Sequence, residues 1–172
     1  PDSPIFKSHY ASECMQTGSY DEALALFEEI LAILPDDPAT LTSRGHALKT
    51  LGRQDEAVAS YRAAFATKPD HGDAYYGLAN LKTYRFTDSE VEAMQALEPS
   101  PDLAFQERVH ISFALAKAFE DRDEIASAFD FYERGNTLKR IQTRYTTEQM
   151  RAELEMQAEI FDAALFEAQA GT

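Results

Sequence analysis

The feature that most constrains the fold is a set of landmark residues that recurs every 34 positions along the first half of the chain. Proline, glycine, aromatic and small residues all obey this spacing. A chain with such a period folds as a stack of similar units, and each unit buries its apolar face only against its neighbours. The residues that carry the period are Pro35 and Pro69, Gly18 and Gly52, Ala23 and Ala57, Phe27 and Tyr61, and the triplet Ala11, Gly45 and Ala79.

Each unit is predicted to consist of two antiparallel helices. Small residues mark the points where the helices cross closely, glycine permits the tight turn between them, and proline ends the second helix. The period and the order of these landmarks resemble the tetratricopeptide repeat (TPR) family, most strongly over residues 4–84. This resemblance implies an all-α fold, a right-handed superhelix of helix-turn-helix repeats.

Capping signals agree with the helical reading. Asp37 precedes a proline at a first helical position, and Ser19 and Thr87 are each followed three positions later by a glutamate, as in a capping box. No stretch alternates with the period of a half-buried strand. Together with apolar periodicity, these signals predict helices at 4–17, 20–34, 38–51, 54–67, 72–84, 88–97, 103–121, 124–142 and 147–169.

The helices group into one TPR domain that spans residues 1–172. The third repeat is irregular, because its second helix is short and ends in the turn-rich segment Pro99-Ser100-Pro101-Asp102. A C-terminal closing helix is expected to cover the open apolar end of the stack. The four repeats are predicted at about 4–37, 38–71, 72–108 and 109–142, and the closing helix at 147–169.

Three stretches are more particular than a generic repeat, namely residues 73–86, 113–121 and 131–136. In this order they resemble the N-terminal region of bacterial TPR-containing sulfotransferases. The resemblance implies that a catalytic domain using the sulfuryl donor 3′-phosphoadenosine 5′-phosphosulfate (PAPS) follows beyond residue 172, and that this sequence is an excerpt. No stretch resembles the phosphate loop of that domain, so the chain itself is expected to bind no cofactor.

Composition excludes several functions. The net charge of −14 repels phosphate backbones, so nucleic acid and anionic membranes are not expected partners. No apolar run is long enough to span a bilayer. The lone Cys14 favours a reducing, cytoplasmic location and a buried structural thiol. The four histidines show no spacing typical of metal ligands, so no metal site is predicted. The sequence also lacks any motif that pairs a nucleophile with a general base, so no catalytic residue is predicted.

The inner face of the superhelix, lined by the first helix of each repeat, is the predicted binding surface. It mixes aromatic rings, an amide and lysines, a composition suited to an extended peptide. The residues expected to contact a partner are His46, Lys49, Tyr76, Asn80, Tyr84, His110, Phe113 and Lys117. The rest of the lining is predicted to consist of Ser8, Ser12, Met15, Thr42, Asp73 and Glu120. The alternative is that some of these aromatic residues only pack against the next repeat or the closing helix.

The sequence thus predicts a non-catalytic protein-interaction module. In one hypothesis it is the N-terminal region of a sulfotransferase, where it recruits a protein substrate, packs on the downstream catalytic domain or pairs subunits. In the alternative it is a freestanding TPR adaptor that binds a peptide segment of another protein. A homo-oligomer is compatible with both hypotheses.

Overall fold

The computed structural model describes residues 3–143, 146–161 and 165, and every regular element in these residues is an α-helix. This confirms the predicted all-α fold class. The helices are α1 Pro4–Thr17, α2 Tyr20–Ile33, α3 Pro38–Thr50, α4 Gln54–Thr67, α5 Gly72–Ala79, α6 Asp88–Leu97, α7 Phe105–Glu120, α8 Ile125–Thr143 and α9 Thr147–Ile160.

The turns of the first two repeats follow the predicted chemistry. Gly18 and Gly52 have φ angles of 83° and 76°, a left-handed conformation that a residue without a Cβ adopts at little cost. The side chain of Asp37 accepts a 2.8 Å hydrogen bond from the backbone N–H of Thr40 and caps α3. The sequence landmarks therefore act here as the periodicity predicts.

One predicted capping box forms and the other does not. Thr87 accepts from the backbone N–H of Glu90, whose carboxylate accepts from the Thr87 N–H in return. Ser19 makes no side-chain cap, so this prediction is wrong. The carboxylate of Glu22 accepts instead from the Tyr10 hydroxyl of α1 at 2.6 Å, a partner that local sequence does not reveal.

Helices of neighbouring repeats pack in order along the chain. Helix α3 packs between α2 and α4, and α5 packs against α4 and α7. Tyr61 of α4 is 0% exposed and lies between two first helices, because Cβ atoms placed at Gly45 and Gly77 would each come within 2.6 Å of its ring. The phenolic hydroxyl and His46 Nδ1 share a 2.8 Å hydrogen bond. Glycine at both positions lets the ring fill the space between the two repeats.

The third repeat departs from the pattern more than the sequence predicts. Helix α5 ends at Ala79, so the expected helix 72–84 is five residues too long. The chain turns at Lys82, whose φ of 58° is unusual for a residue with a side chain. Tyr84 therefore lies outside the helix, where its hydroxyl donates to the carboxylate of Glu90 at 2.8 Å.

The chain forms two compact units, Pro1–Asn136 and Thr137–Thr172. The second unit contains α9, in which no residue is buried. Residues 162–164 and 166–169 of the expected closing helix lie outside the described residues. Its role in covering the end of the stack stays a prediction, as do the limits of the repeats.

Ala57→Leu is expected to lower the free energy of unfolding by about 1–3 kcal/mol, because Ala57 is fully buried in α4 and a larger side chain overpacks its contacts. Urea denaturation would measure this change. Ala63→Leu, at an exposed position of the same helix, is the matched control and should change stability by less than about 0.5 kcal/mol. A near-zero effect at Ala57 would contradict its place in the helix crossing.

Candidate functional site

Three first helices, α3, α5 and α7, bring one carboxylate and two imidazole rings together. Asp73 Oδ2 lies 3.6 Å from His46 Nε2, and Asp73 Oδ1 lies 3.9 Å from His110 Nδ1. The Asp73 side chain is 38% exposed, so it remains accessible between the two rings. Each of the three residues comes from a different repeat, and the cluster therefore exists only when the repeats are stacked.

A row of aromatic rings continues from this cluster towards α8. The Tyr76 and His110 rings are stacked with centroids 5.2 Å apart, and Phe113 lies 6.2 Å from Tyr76 and 6.4 Å from Tyr132. All four side chains are partly exposed. The row thus offers an apolar, π-rich surface beside the Asp73 carboxylate.

The charge of Asp73 is fixed by its surroundings. The neighbouring His46 imidazole lowers the pKa of the Asp73 carboxyl below its usual value, and this effect outweighs partial burial, which acts in the opposite direction. Asp73 therefore carries a negative charge at neutral pH. Burial and a hydrogen bond to Glu120 raise the pKa of Tyr132 to about 12, so its hydroxyl stays protonated.

A second polar group lies behind the first and joins α5 to α7. Glu107 of α7 accepts a 2.8 Å hydrogen bond from the backbone N–H of Gly72, the first residue of α5. His71 Nδ1 lies 3.7 Å from the same carboxylate, and His71 Nε2 is 2.9 Å from the Thr42 hydroxyl of α3. The Glu107 and His71 side chains are mostly buried, which indicates that they hold the first helices together and are not part of the open surface.

The structure brings four of the predicted contact residues together, namely His46, Tyr76, His110 and Phe113. Lys49 is partly exposed and lies on α3 one turn beyond His46. Lys117 forms an ion pair with Asp121, the C-cap residue of the same helix, so its charge is largely compensated.

The other two predicted contact residues lie at or beyond the end of α5. Asn80 is the C-cap of α5, and its side-chain amide donates to the backbone carbonyl of Tyr76 at 3.0 Å. Tyr84 packs edge-on against Phe86 and bonds to Glu90, away from the Asp73 cluster. Its expected place on the α5 face does not hold, because the helix ends before it.

The sequence predicts that Asp73 lies in the lining but not among the contact residues, and it does not predict Tyr132 on this face. The residue spacing of each repeat shows which helix face these residues occupy. It does not show that Asp73 meets two imidazoles from the adjoining repeats. The sequence does not predict the contacts of Glu107 and His71, since the residues that they contact lie in other repeats.

Within the described residues, no group of three or more His, Cys, Asp or Glu side chains could hold a metal ion. A shallow cavity of about 220 Å³ lies elsewhere, among α1, α2 and the start of α3, and none of the predicted contact residues lines it. No helix in the described residues is both long and apolar enough to cross a membrane. The open surface around Asp73 is therefore the candidate site that we consider further.

Comparison with known proteins agrees with the repeat architecture. Residues 39–71 match the family model of the tetratricopeptide repeat. MamA from Desulfovibrio magneticus RS-1 has a similar structure, with a TM-score of 0.57 and 20% identity over 78% of this chain and 75% of that protein. The TPR protein TTC0263 from Thermus thermophilus gives a TM-score of 0.54 and 16% identity, over 79% of this chain and 74% of that protein. The chain contains a tetratricopeptide repeat and has the fold of TPR proteins.

Relatives in sequence are much longer than this chain. A TPR repeat-containing thioredoxin, TTL4, of Arabidopsis thaliana is 38% identical over 64 residues, which are 37% of this chain and 9% of the relative. Small glutamine-rich tetratricopeptide repeat-containing protein 2 of Mycosarcoma maydis is 30% identical over 96 residues, 56% of this chain and 27% of the relative. An uncharacterized protein of Aquifex aeolicus is 25% identical over 85% of this chain and 19% of its own length.

Proposed function

We propose that this chain is a protein-binding module that holds an extended segment of a partner across α3, α5 and α7. The TPR fold is consistent with protein–protein interaction. The observation that carries the proposal is the open surface formed by Asp73 and the row Tyr76, His110, Phe113 and Tyr132. The residues of this surface come from successive repeats and form a line across the helices. An extended peptide that crosses the helices could therefore contact each of them in turn.

The chemistry of this surface favours a partner segment with arginine or lysine side chains. Asp73 is ionised and accessible, and an arginine beside it can stack on the neighbouring aromatic rings. Lys117, which lies on α7 with His110 and Phe113, is neutralised by Asp121 and so repels a cation little. The net charge of −14 adds a long-range attraction for basic segments.

Fluorescence anisotropy with two synthetic peptides of equal length tests this preference. One peptide repeats Gly-Ser-Arg and the other repeats Gly-Ser-Glu. The arginine peptide is expected to bind and the glutamate peptide is not. Asp73→Asn is expected to weaken binding about fivefold, as for a partly exposed ion pair of ~1 kcal/mol, and Tyr76→Ala is expected to weaken it at least as much.

Asp102→Asn provides the matched control, because Asp102 is exposed in a turn and the substitution makes the same change in net charge. It should leave the affinity for the arginine peptide nearly unchanged. Equal losses in Asp73→Asn and Asp102→Asn would show general charge attraction without a site, and would contradict the proposal.

The sulfotransferase hypothesis rests on the resemblance of residues 73–142 alone. The relatives in sequence show only that repeats like these occur as a minor part of longer proteins. In that setting the module is non-catalytic and cytoplasmic, and PAPS binds a downstream domain. A sulfuryl-transfer assay should then find activity in the full-length protein and none in residues 1–172. Inactivity of both would favour the alternative, an adaptor without a catalytic domain.

A further inference from the structure

Two imidazole rings flank the Asp73 carboxylate, and in each ring one nitrogen faces it. In His46, Nδ1 shares a 2.8 Å hydrogen bond with the Tyr61 hydroxyl, and Nε2 lies 3.6 Å from Asp73. In His110, Nε2 shares a 2.7 Å hydrogen bond with the Gln106 amide, and Nδ1 lies 3.9 Å from Asp73. Neighbouring side chains thus hold one nitrogen of each ring, and the other two nitrogens approach the same carboxylate from opposite repeats.

The protonation of these rings decides which cation Asp73 meets. A neutral imidazole brings no charge, so the carboxylate remains available to a cation from a partner. Histidine is the side chain whose charge normally changes between about pH 5 and 8. An imidazolium at position 46 or 110 lies within ion-pairing distance of Asp73. Mild acid therefore supplies two internal cations for one carboxylate, and both lie beside any arginine that is bound there.

Asp73 itself stays ionised in this range of pH. The hydrogen bond from His46 holds the pKa of the Asp73 carboxyl below its usual value, although partial burial acts in the opposite direction. The guanidinium of an arginine in the partner also keeps its charge. Neither member of the proposed ion pair therefore changes charge in mild acid, and the imidazoles between them do.

The other polar groups near the cluster have different partners. His71 lies 3.7 Å from the Glu107 carboxylate, and its influence on Asp73 is the weakest of the three imidazoles. Burial raises the pKa of the Tyr61 hydroxyl above its usual value, so that group stays neutral. Contacts that do not include Asp73 engage charged and titratable groups of the helices packed around the cluster, namely Arg44 with Glu28 of α2, Arg62 of α4 with Glu90 of α6, Lys117 with Asp121, and Tyr132 of α8 with Glu120.

We infer that the Asp73 surface binds its basic segment at neutral pH and releases it in mild acid, when His46 and His110 become protonated. The inference rests on the proposed function, because it requires an arginine or lysine of the partner beside Asp73. The affinity is full where both rings are neutral, and it falls as the pH drops through their titration. Linkage requires the reverse effect as well, since a bound cation disfavours a proton on either ring. Binding near the middle of the titration therefore releases protons.

Fluorescence anisotropy with the Gly-Ser-Arg repeat peptide at about pH 7.5 and about pH 5.5, at one ionic strength, tests the inference. Wild type is expected to bind about tenfold more weakly at the lower pH, as for two partly exposed ion pairs that compete with the peptide. The double variant His46→Gln, His110→Gln has no titrating ring beside Asp73, so its affinity should be the same at both pH values. His9→Gln removes an exposed histidine of α1 and is the matched control, which should keep the full tenfold loss.

Calorimetry gives a second measurement that needs no variant. The arginine peptide is titrated into wild type at about pH 6 in buffers with different heats of ionisation, and a net release of protons is expected on binding. Equal affinity at the two pH values, no release of protons, or a loss that persists in the double variant would overturn the inference and leave the proposed function intact.

Two other outcomes also count against the inference. If circular dichroism at 222 nm showed loss of helix at the lower pH, release of the peptide would reflect unfolding and not competition for Asp73. If the peptide did not bind at neutral pH, the proposed function and the inference would both be wrong.

Discussion

Tyr61→Ala is expected to lower the free energy of unfolding by about 3–5 kcal/mol, the usual cost of removing a large buried aromatic side chain. The Tyr61 side chain is fully buried and contacts the first helices of two repeats, near Gly45 and Gly77. The substitution leaves a cavity where α3, α4 and α5 meet. Urea denaturation followed by circular dichroism at 222 nm, a wavelength that reports helix content, would measure the loss.

Tyr61→Phe is the matched control, because it keeps the ring and removes only the hydroxyl that shares a hydrogen bond with His46. The expected loss is about 0.5–1.5 kcal/mol. If Tyr61→Phe lowered the free energy of unfolding as much as Tyr61→Ala, the hydrogen bond would contribute more to stability than the packing of the ring. If neither changed stability, the ring would not lie between the repeats as described.

Gly77→Ala is expected to destabilise the chain by about 1–3 kcal/mol, although alanine is the better helix former by about 1 kcal/mol. The reason is steric, since a Cβ at this position would lie 2.5 Å from Cε1 of the Tyr61 ring. The ring has little room to move away, because a Cβ at Gly45 would also come within 2.6 Å of the same Cε1. Urea denaturation of Gly77→Ala would show which effect is larger.

A double-mutant cycle isolates the steric cause. In a Tyr61→Leu background the aromatic ring is absent, so Gly77→Ala is expected to be neutral or to stabilise by up to about 1 kcal/mol. The coupling between the two positions should therefore be about 2 kcal/mol. Equal effects of Gly77→Ala in both backgrounds would mean that some other neighbour of Gly77 is responsible.

Much of the fold is predictable because the first two repeats depend on local chemistry. Gly18 and Gly52 take the positive φ angles that the turn requires, and Asp37 caps α3 through a residue three positions away. The end of α5 was not predictable in this way. Helix α5 ends at Ala79, and the chain then turns at Lys82, a residue that adopts a left-handed φ without being glycine or asparagine.

The candidate site was predictable only in part, for a related reason. The period of the repeats indicates that His46, Tyr76 and His110 share one face. It does not reveal contacts between repeats, such as the approach of Asp73 to imidazoles on two other helices. Pairing within one helix is different, because Lys117 and Asp121 are four positions apart and their ion pair follows from helical geometry.

The hydrogen bond from the Gly72 N–H to Glu107 has a consequence for the order in which the helices form. Helix α5 has eight residues, and its own N-cap residue, His71, makes no side-chain cap. Its first N–H group is instead satisfied by a carboxylate 35 positions further along the chain. An isolated helix of this length is unstable in water. Helix α5 therefore depends on its packing against α4 and α7, and we expect its first turn to be completed only when α7 docks.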